Sequence, residues 1–387
     1  MSGRDNEPTD RRDRGGASAE PAAPTRAATT SGPAARAASE WARLALEMSA
    51  ETGVRPRRNE PLAGYTSMRV GGPADLLAVA REAPALMAVV GFARARGVPF
   101  LVLGRGSNVV VADAGIRALV ILSRGEGWRI DGDRLIAEAG LPLARAAMLC
   151  QRAGLSGLEF GVAIPGTVGG AVWANAGAHG ADVAGVLESV TMLRADGTVA
   201  TEPASALSLS YRDSRLKQGE GSATGASVTA GDAAPVAATA PTPATIGDLV
   251  LTATFKLTPA DPAAIKAGLD EIRRWRREHQ PLNQPSAGSV FRNPPGDSAG
   301  RLIDACGLRG ARLGDASISE KHANFIVNMG TATAEDVRRL AERARAAVAE
   351  RFGIDLVCEV QFVGDWSGPK QKPSAARGRD RPRPGSE

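Results

Sequence analysis

The chain of 387 residues is long enough for two or three domains, each with its own core. Hydrophobic residues make up 43% and aromatic residues only 4%, an ordinary water-soluble composition with few rings. The net charge of +5 sits at the ends: residues 1–38 hold six Arg against five acids, residues 368–387 hold six basic groups against two acids, and residues 39–367 sum to zero, which argues against a nucleic-acid-binding core.

In chain order, residues 1–38 lack periodicity and read as a disordered tail. Trp41, Leu44, Ala45 and Met48 then recur at helical spacing, and a polar lead-in over 59–72 precedes a strand at 74–79. A helix over 83–96 ends at Gly97, and a buried strand at 99–103 runs into Gly104, Arg105, Gly106, Ser107 and Asn108. That loop is not a dinucleotide fingerprint, because Val109 stands where a third glycine belongs and a β-branched strand follows instead of a helix. It reads as strand, loop and strand, with amides and the Ser107 and Asn108 side chains free to hold phosphates. Short strands at 116–122, 128–130 and 135–139 lead through Gly140 to a helix over 143–153.

Residues 156–180, SGLEFGVAIPGTVGGAVWANAGAHG, are the most unusual stretch. Gly161, Gly166, Gly169, Gly170, Gly177 and Gly180 recur too often for a helix, and the apolar residues between them do not alternate as in a strand. Such a segment, with Ile164, Pro165, Thr167 and Asn175 set among the glycines, serves either as the wall of a nucleotide-cofactor site or as a tightly turned piece of core. Strands at 188–193 and 199–202 follow, then the polar cluster Tyr211-Arg212-Asp213-Ser214 and Lys217. Residues 219–245 are nearly all Ala, Gly, Thr, Ser, Pro and Val and read as a flexible insertion.

A strand at 249–255 restores order, and Asp261-Pro262 opens a helix ending in Arg273-Arg274-Trp275-Arg276-Arg277, either a solvated helix end or a phosphate clamp. Residues 285–294 form a polar loop and short strand, and residues 299–305 a short helix. Thr333 and Asp336 make a capping box for a long helix that Gly353 ends. A last strand over 354–363 places Cys358 and Val360 on one face and Glu359 on the other, before the basic tail at 367–387. The three cysteines, Cys150, Cys306 and Cys358, stand far apart without CxxC spacing, which argues against a disulfide framework or zinc site and for a reducing compartment. No signal-peptide h-region or membrane-spanning run is present, so a cytoplasmic chain, without membrane contact and without a metal, is expected.

Five segments taken together resemble one family, the flavoenzyme UDP-N-acetylenolpyruvoylglucosamine reductases: residues 104–108, 156–180, 211–214, 288–294 and 358–360, in the family's order over roughly 59–363. The resemblance implies an α+β chain with a p-cresol-methylhydroxylase-type FAD-binding fold of two subdomains, 39–125 and 126–258, and a C-terminal α+β substrate-binding domain, 259–366. It implies bound FAD, NADPH as reductant, a small UDP-sugar as substrate and a monomeric enzyme of cell-wall precursor synthesis. The FAD contacts would come from residues 104–108, Gly140 and the residues named above between Gly161 and Gly180. Ser289 would donate a proton, and Arg212 and Glu359 would hold the substrate carboxylate. Asn293, Tyr211, Arg277 and Asn324 would touch the substrate. Some family members cover the substrate with a tyrosine-bearing loop, but Tyr65 and Tyr211 are the only tyrosines here, which places the chain in the subclass without that lid. An oxidase on the same cofactor fold is the rival reading, and it would not need the Arg–Ser–Glu set. A non-enzymatic binding protein is the other, and it would have no flavin.

Overall fold

The computed structural model describes residues 38–218 and 247–367. The expected terminal tails and insertion lie almost wholly outside these ranges. The first layer is a four-stranded sheet ordered Arg57–Pro61, Pro73–Ala80, Ile116–Ser123 and Phe100–Leu103. The edge strand runs antiparallel to its neighbour, while the other two junctions are parallel. Parallel neighbours require a crossover, and the helix Ala83–Ala95 leads into the strand that completes this one. That helix and Ala38–Thr52 lay Trp41, Leu44, Met48, Leu86, Val89 and Phe92 on Leu76, Leu119 and Ile121. Val120, Leu122 and Leu77 pack on the opposite face, so the central strand is buried on both sides, as its near-continuous apolar sequence requires.

A second, wholly antiparallel sheet has the order Val199–Pro203, Leu187–Leu193, Leu249–Lys256, Arg134–Glu138 and Trp128–Asp131. Its core takes Ala146, Ala147 and Cys150 from the helix Leu143–Arg152 and Ile265 and Leu269 from Pro262–His279. The third sheet, Ser286–Ser289, Phe325–Asn328, Ala316–Ile318 and Arg312–Leu313, is covered by the helices Ala299–Ala305 and Ala334–Phe352. These layers give the expected α+β class.

Two links fasten the third sheet's layer to the first. The strand Val109–Val111 leaves the loop at 104–108 and pairs in parallel with Gln361–Val363. The Asp113 carboxylate accepts hydrogen bonds from the amides of Ala334 (2.9 Å) and Glu335 (3.0 Å), the first residues of the long helix. The Thr333–Asp336 capping box satisfies the neighbouring amides, so this helix start is held both locally and from a distant layer. Asp113→Ala is expected to lower stability by about 1–2 kcal/mol, seen as a lower urea midpoint with unchanged slope.

Two elements differ from expectation. Residues 354–360 are not ladder-forming strand: Phe291 and Cys358 make an isolated bridge, and only Gln361–Val363 pairs regularly. The amides of Glu359 (2.8 Å) and Val360 (3.3 Å) both donate to the one carbonyl of Val290, a convergence that a regular ladder does not allow. Within 156–180 the chain also makes a 3₁₀ turn, Glu159–Ala163, and a six-residue helix, Val168–Trp173. Glycine disfavours that helix intrinsically, but Val168, Ala171 and Val172 are buried and Gly169 lies against Ala139, so packing overrides propensity.

Candidate active site

A cleft of about 1340 Å³ opens between the layers, and its walls come from all three sheets and the connections between them. One wall is the loop at 104–108, all five of whose residues line it. Gly106 has φ +61°, and a Cβ there would stand 2.3 Å from the Tyr65 carbonyl, so this turn requires glycine. The loop is braced from behind: Arg124 donates to the Gly104 carbonyl (2.7 Å) and Asn108 donates to the Glu359 carbonyl (3.1 Å).

The glycine-rich stretch, which lies against that loop through Thr167 and Gly166, lines the cleft with Ile164, Pro165, Gly166, Thr167, Gly169, Gly170 and Gly177. Two of these glycines differ in kind from the rest. A Cβ on Gly166 would meet only Ser107 Oγ at 3.4 Å, and one on Gly170 only Thr167 Oγ1 at 3.6 Å, besides the more distant Ile164 side chain. The protein's own packing therefore does not demand glycine at either position, and both face the cleft, where a bound molecule would approach the backbone. Gly166→Val is expected to weaken FAD retention roughly tenfold or more through overpacking, read from flavin absorbance per mole of purified protein and by titration of stripped protein with FAD.

The chemical groups gather where the second and third layers meet. Ser210 and Asp213 exchange both backbone hydrogen bonds, each 3.1 Å, across a tight turn with Tyr211 and Arg212 at its tip. Arg212 has φ +56°, a left-handed conformation that this position of a turn normally gives to glycine. Its Nη2 donates to the Gly177 carbonyl at 2.7 Å, and its Nε lies 3.1 Å from Glu359 Oε1. That second contact is ionic, because Nε is buried without an aligned hydrogen-bond acceptor. Burial pushes the Glu359 carboxyl above the ordinary glutamate range, although Arg212, Lys217 and Arg292 pull the other way. Desolvation prevails, and the acid keeps its proton to higher pH than a solvated one.

Ser289 ends the strand Ser286–Ser289, whose pairing with Phe325–Asn328 shifts register between Ser286 and Ser289. Gly288, at φ +79°, makes that irregularity possible, and Ser289 lines the cleft. The Glu359 amide is tied to the carbonyl of Val290, the residue after Ser289. Ser289, Arg212 and Glu359 therefore share one cleft although they are far apart in sequence. Burial raises the thiols of Cys150 and Cys358 to about 12, so neither serves as a nucleophile at neutral pH.

The remaining residues singled out from the sequence fall into distinct places. Asn293 lines the cleft while its Oδ1 accepts from the Ala299 amide (3.1 Å). Asn324 is buried, exchanging hydrogen bonds with both backbone groups of Phe291, and Asn175 is buried between Asp182, Ser210 and Ala184. Both act as brackets that shape the walls. Tyr211 and Arg277 are exposed, and neither they nor Gly140, Gly161 and Gly180 line the cleft.

Sequence reasoning passed over Arg69 and Arg124 and named Arg276 only within the basic run at 273–277; all three line the cleft. With Arg105 and Arg212 they set five guanidinium groups against the acids Asp248 and Glu359, an excess suited to phosphates. Arg276 was legible only as one of four arginines in a run, since which of them faces inward depends on the helix's rotation. Arg69 and Arg124 carried no local signal.

A cleft with glycine walls and an arginine surplus defines a nucleotide-cofactor protein, and the family model described as an FAD binding domain matches residues 74–201. The protein is thus an FAD-dependent oxidoreductase. A second family model, the C-terminal domain of UDP-N-acetylenolpyruvoylglucosamine reductase, matches residues 280–363. UDP-N-acetylenolpyruvoylglucosamine reductase 2 of Symbiobacterium thermophilum is 43% identical over 312 residues, covering 80% of this chain and 92% of that protein. The reductase of Moorella thermoacetica is 40% identical over 325 residues, covering 83% and 98%. The crystal structure of the Thermus caldophilus reductase superposes with a TM-score of 0.64 at 36% identity, covering 80% of this chain and 99% of that one. The chain belongs to the UDP-N-acetylenolpyruvoylglucosamine reductase family.

Proposed function

We propose that this enzyme uses NADPH to reduce the enolpyruvyl double bond of UDP-N-acetylglucosamine-enolpyruvate, giving UDP-N-acetylmuramate for peptidoglycan precursor synthesis in the cytoplasm, and that it acts as a monomer. The observation that carries this reading is that Ser289, Arg212 and Glu359 meet in the same cleft whose lining also includes the loop at 104–108 and the open-faced Gly166 and Gly170. The first two subdomains, 39–125 and 126–258, would hold FAD through these walls, and residues 259–366 would carry most of the substrate contacts. FAD bound there would supply the hydride chemistry that links NADPH to the double bond.

The chain's own residues then deal with the charge and the proton. Negative charge develops on the neighbouring carbon and spreads into the attached carboxylate. Arg212, with a buried Nε lacking an aligned acceptor, supplies a guanidinium for that carboxylate. Burial shifts Glu359 toward its protonated form, which can donate a hydrogen bond where an ionised acid would repel. Ser289 gives its hydroxyl proton to the charged carbon and regains one from solvent. Arg69, Arg105, Arg124 and Arg276 offset the phosphates of cofactor and substrate. The test is spectroscopic: without oxygen, NADPH should bleach the flavin bands and UDP-N-acetylglucosamine-enolpyruvate should restore them. Bleaching without restoration would refute the substrate.

A further inference from the structure

The mechanism leaves a half-buried cation, Lys217, unused. Lys217 lies in the four-residue helical turn Arg215–Gln218, directly after the turn that carries Arg212. Its Nζ donates to the Arg212 carbonyl at 2.8 Å and stands 5.3 Å from the centre of the Trp173 ring. The turn itself is firmly fixed. Ser214 is fully buried, its Oγ donates to the Trp173 carbonyl at 2.6 Å, and the Lys217 amide donates back to Ser214. A lysine ammonium thus grips the carbonyl of a residue held at φ +56°, a conformation unfavourable for a residue that carries a side chain. Building arginine into such a backbone is unfavourable unless something holds it there.

Resting on the reductase reading above, we propose that Lys217 is a positioning residue for hydride acceptance: it clamps Arg212 in the left-handed turn so that the guanidinium meets Gly177, Glu359 and the substrate carboxylate, and it adds positive charge behind that carboxylate. Charged groups surround Lys217 on every side that matters. Asp213 and Arg212 face it from its own connection, Glu359 from the C-terminal segment and Arg292 from the segment after Ser289. Three cations, Lys217, Arg212 and Arg292, therefore stand with two acids, Asp213 and Glu359, and the buried Nε atoms of both Arg212 and Arg292 lack aligned acceptors. An anion of one or two charges completes that set.

Burial lowers the Lys217 amine to about 8, with Arg292 acting in the same direction. The sign follows: the ammonium is present below about pH 8 and is lost as pH rises past it, so the oxidation of reduced flavin by substrate should slow on the alkaline side. Arginine at the same position keeps its charge.

The experiment separates the two half-reactions anaerobically. In Lys217→Met, flavin content and its reduction by NADPH should be unchanged, while reoxidation by UDP-N-acetylglucosamine-enolpyruvate falls at least tenfold. In Lys217→Arg, most of the reoxidation rate should remain and the decline near pH 8 should disappear, while Glu359 is present in both proteins and cancels from the comparison. Reoxidation in Lys217→Met within twofold of the parent would overturn the proposal. So would equal slowing of both half-reactions with loss of FAD, which is the mark of a merely structural lysine. If Lys217→Met does not fold, the pH profile of Lys217→Arg decides: an unchanged alkaline decline overturns the proposal. If the parent enzyme itself fails to reoxidise with this substrate, the reductase reading falls first.

Discussion

Replacing Ser289 by alanine is expected to leave flavin reduction by NADPH intact and to slow flavin reoxidation by the enolpyruvyl substrate by about 10²–10⁴-fold, the usual worth of a positioned proton donor. The two half-reactions divide in this way because a proton is needed only after hydride has reached the alkene. Alanine keeps the strand, since Ser289 pairs with Phe325 through its backbone and Gly288 carries the positive φ. Stopped-flow absorbance in the flavin bands measures both steps on one sample. In deuterated buffer the parent should show slowed product formation, and the variant should show whether water has replaced the hydroxyl. Reoxidation in Ser289→Ala at the parent rate would remove Ser289 from the proton path while leaving the flavoenzyme in place.

Arg212→Lys is expected to cost about 10²–10³-fold in the same oxidative step, comparable to losing one preorganised donor at a developing charge. The substitution is informative because it holds the backbone term fixed. Lysine suffers the same penalty at φ +56° as arginine, so the loss reports the guanidinium and not the turn. A point charge on a flexible stem cannot hold the Gly177 carbonyl and the Glu359 carboxylate together while facing a substrate carboxylate. The rise in KM for the UDP-sugar should accompany the loss in rate, since the carboxylate is present before and after hydride transfer. An unchanged reoxidation rate would show that charge at this position, and not geometry, is what the reaction requires.

Much of the molecule was legible locally. The helix Ala334–Phe352 announced itself through Thr333, Asp336 and Gly353, because capping needs only neighbours in sequence. The loop at 104–108 was readable as strand, loop and strand for the same reason. Its tertiary use was not: Val109–Val111 quits the sheet of Phe100–Leu103 and pairs with Gln361–Val363, some 250 residues later. The short helix Val168–Trp173 was hidden by its glycines, whose intrinsic cost is offset by burial that no local window contains. Arginines posed the hardest problem. Arg276 enters the cleft and Arg277 does not, a difference of one residue on a helix whose rotation is set by Ile265 and Leu269 packing against the second sheet.

By itself, the sequence determined the α+β class, the order of the elements and the glycine-rich stretch, because periodicity, capping and turn chemistry act over a few residues, while Ser289, Arg212 and Glu359 were singled out only by the resemblance to the reductase family. The tertiary structure alone decided that these three share a cleft, that Arg212 adopts a left-handed backbone whose carbonyl accepts from Lys217, and that burial raises the Glu359 carboxyl above the ordinary range. Those properties depend on desolvation and on charges brought together from distant segments, and such interactions exist only once the chain has folded.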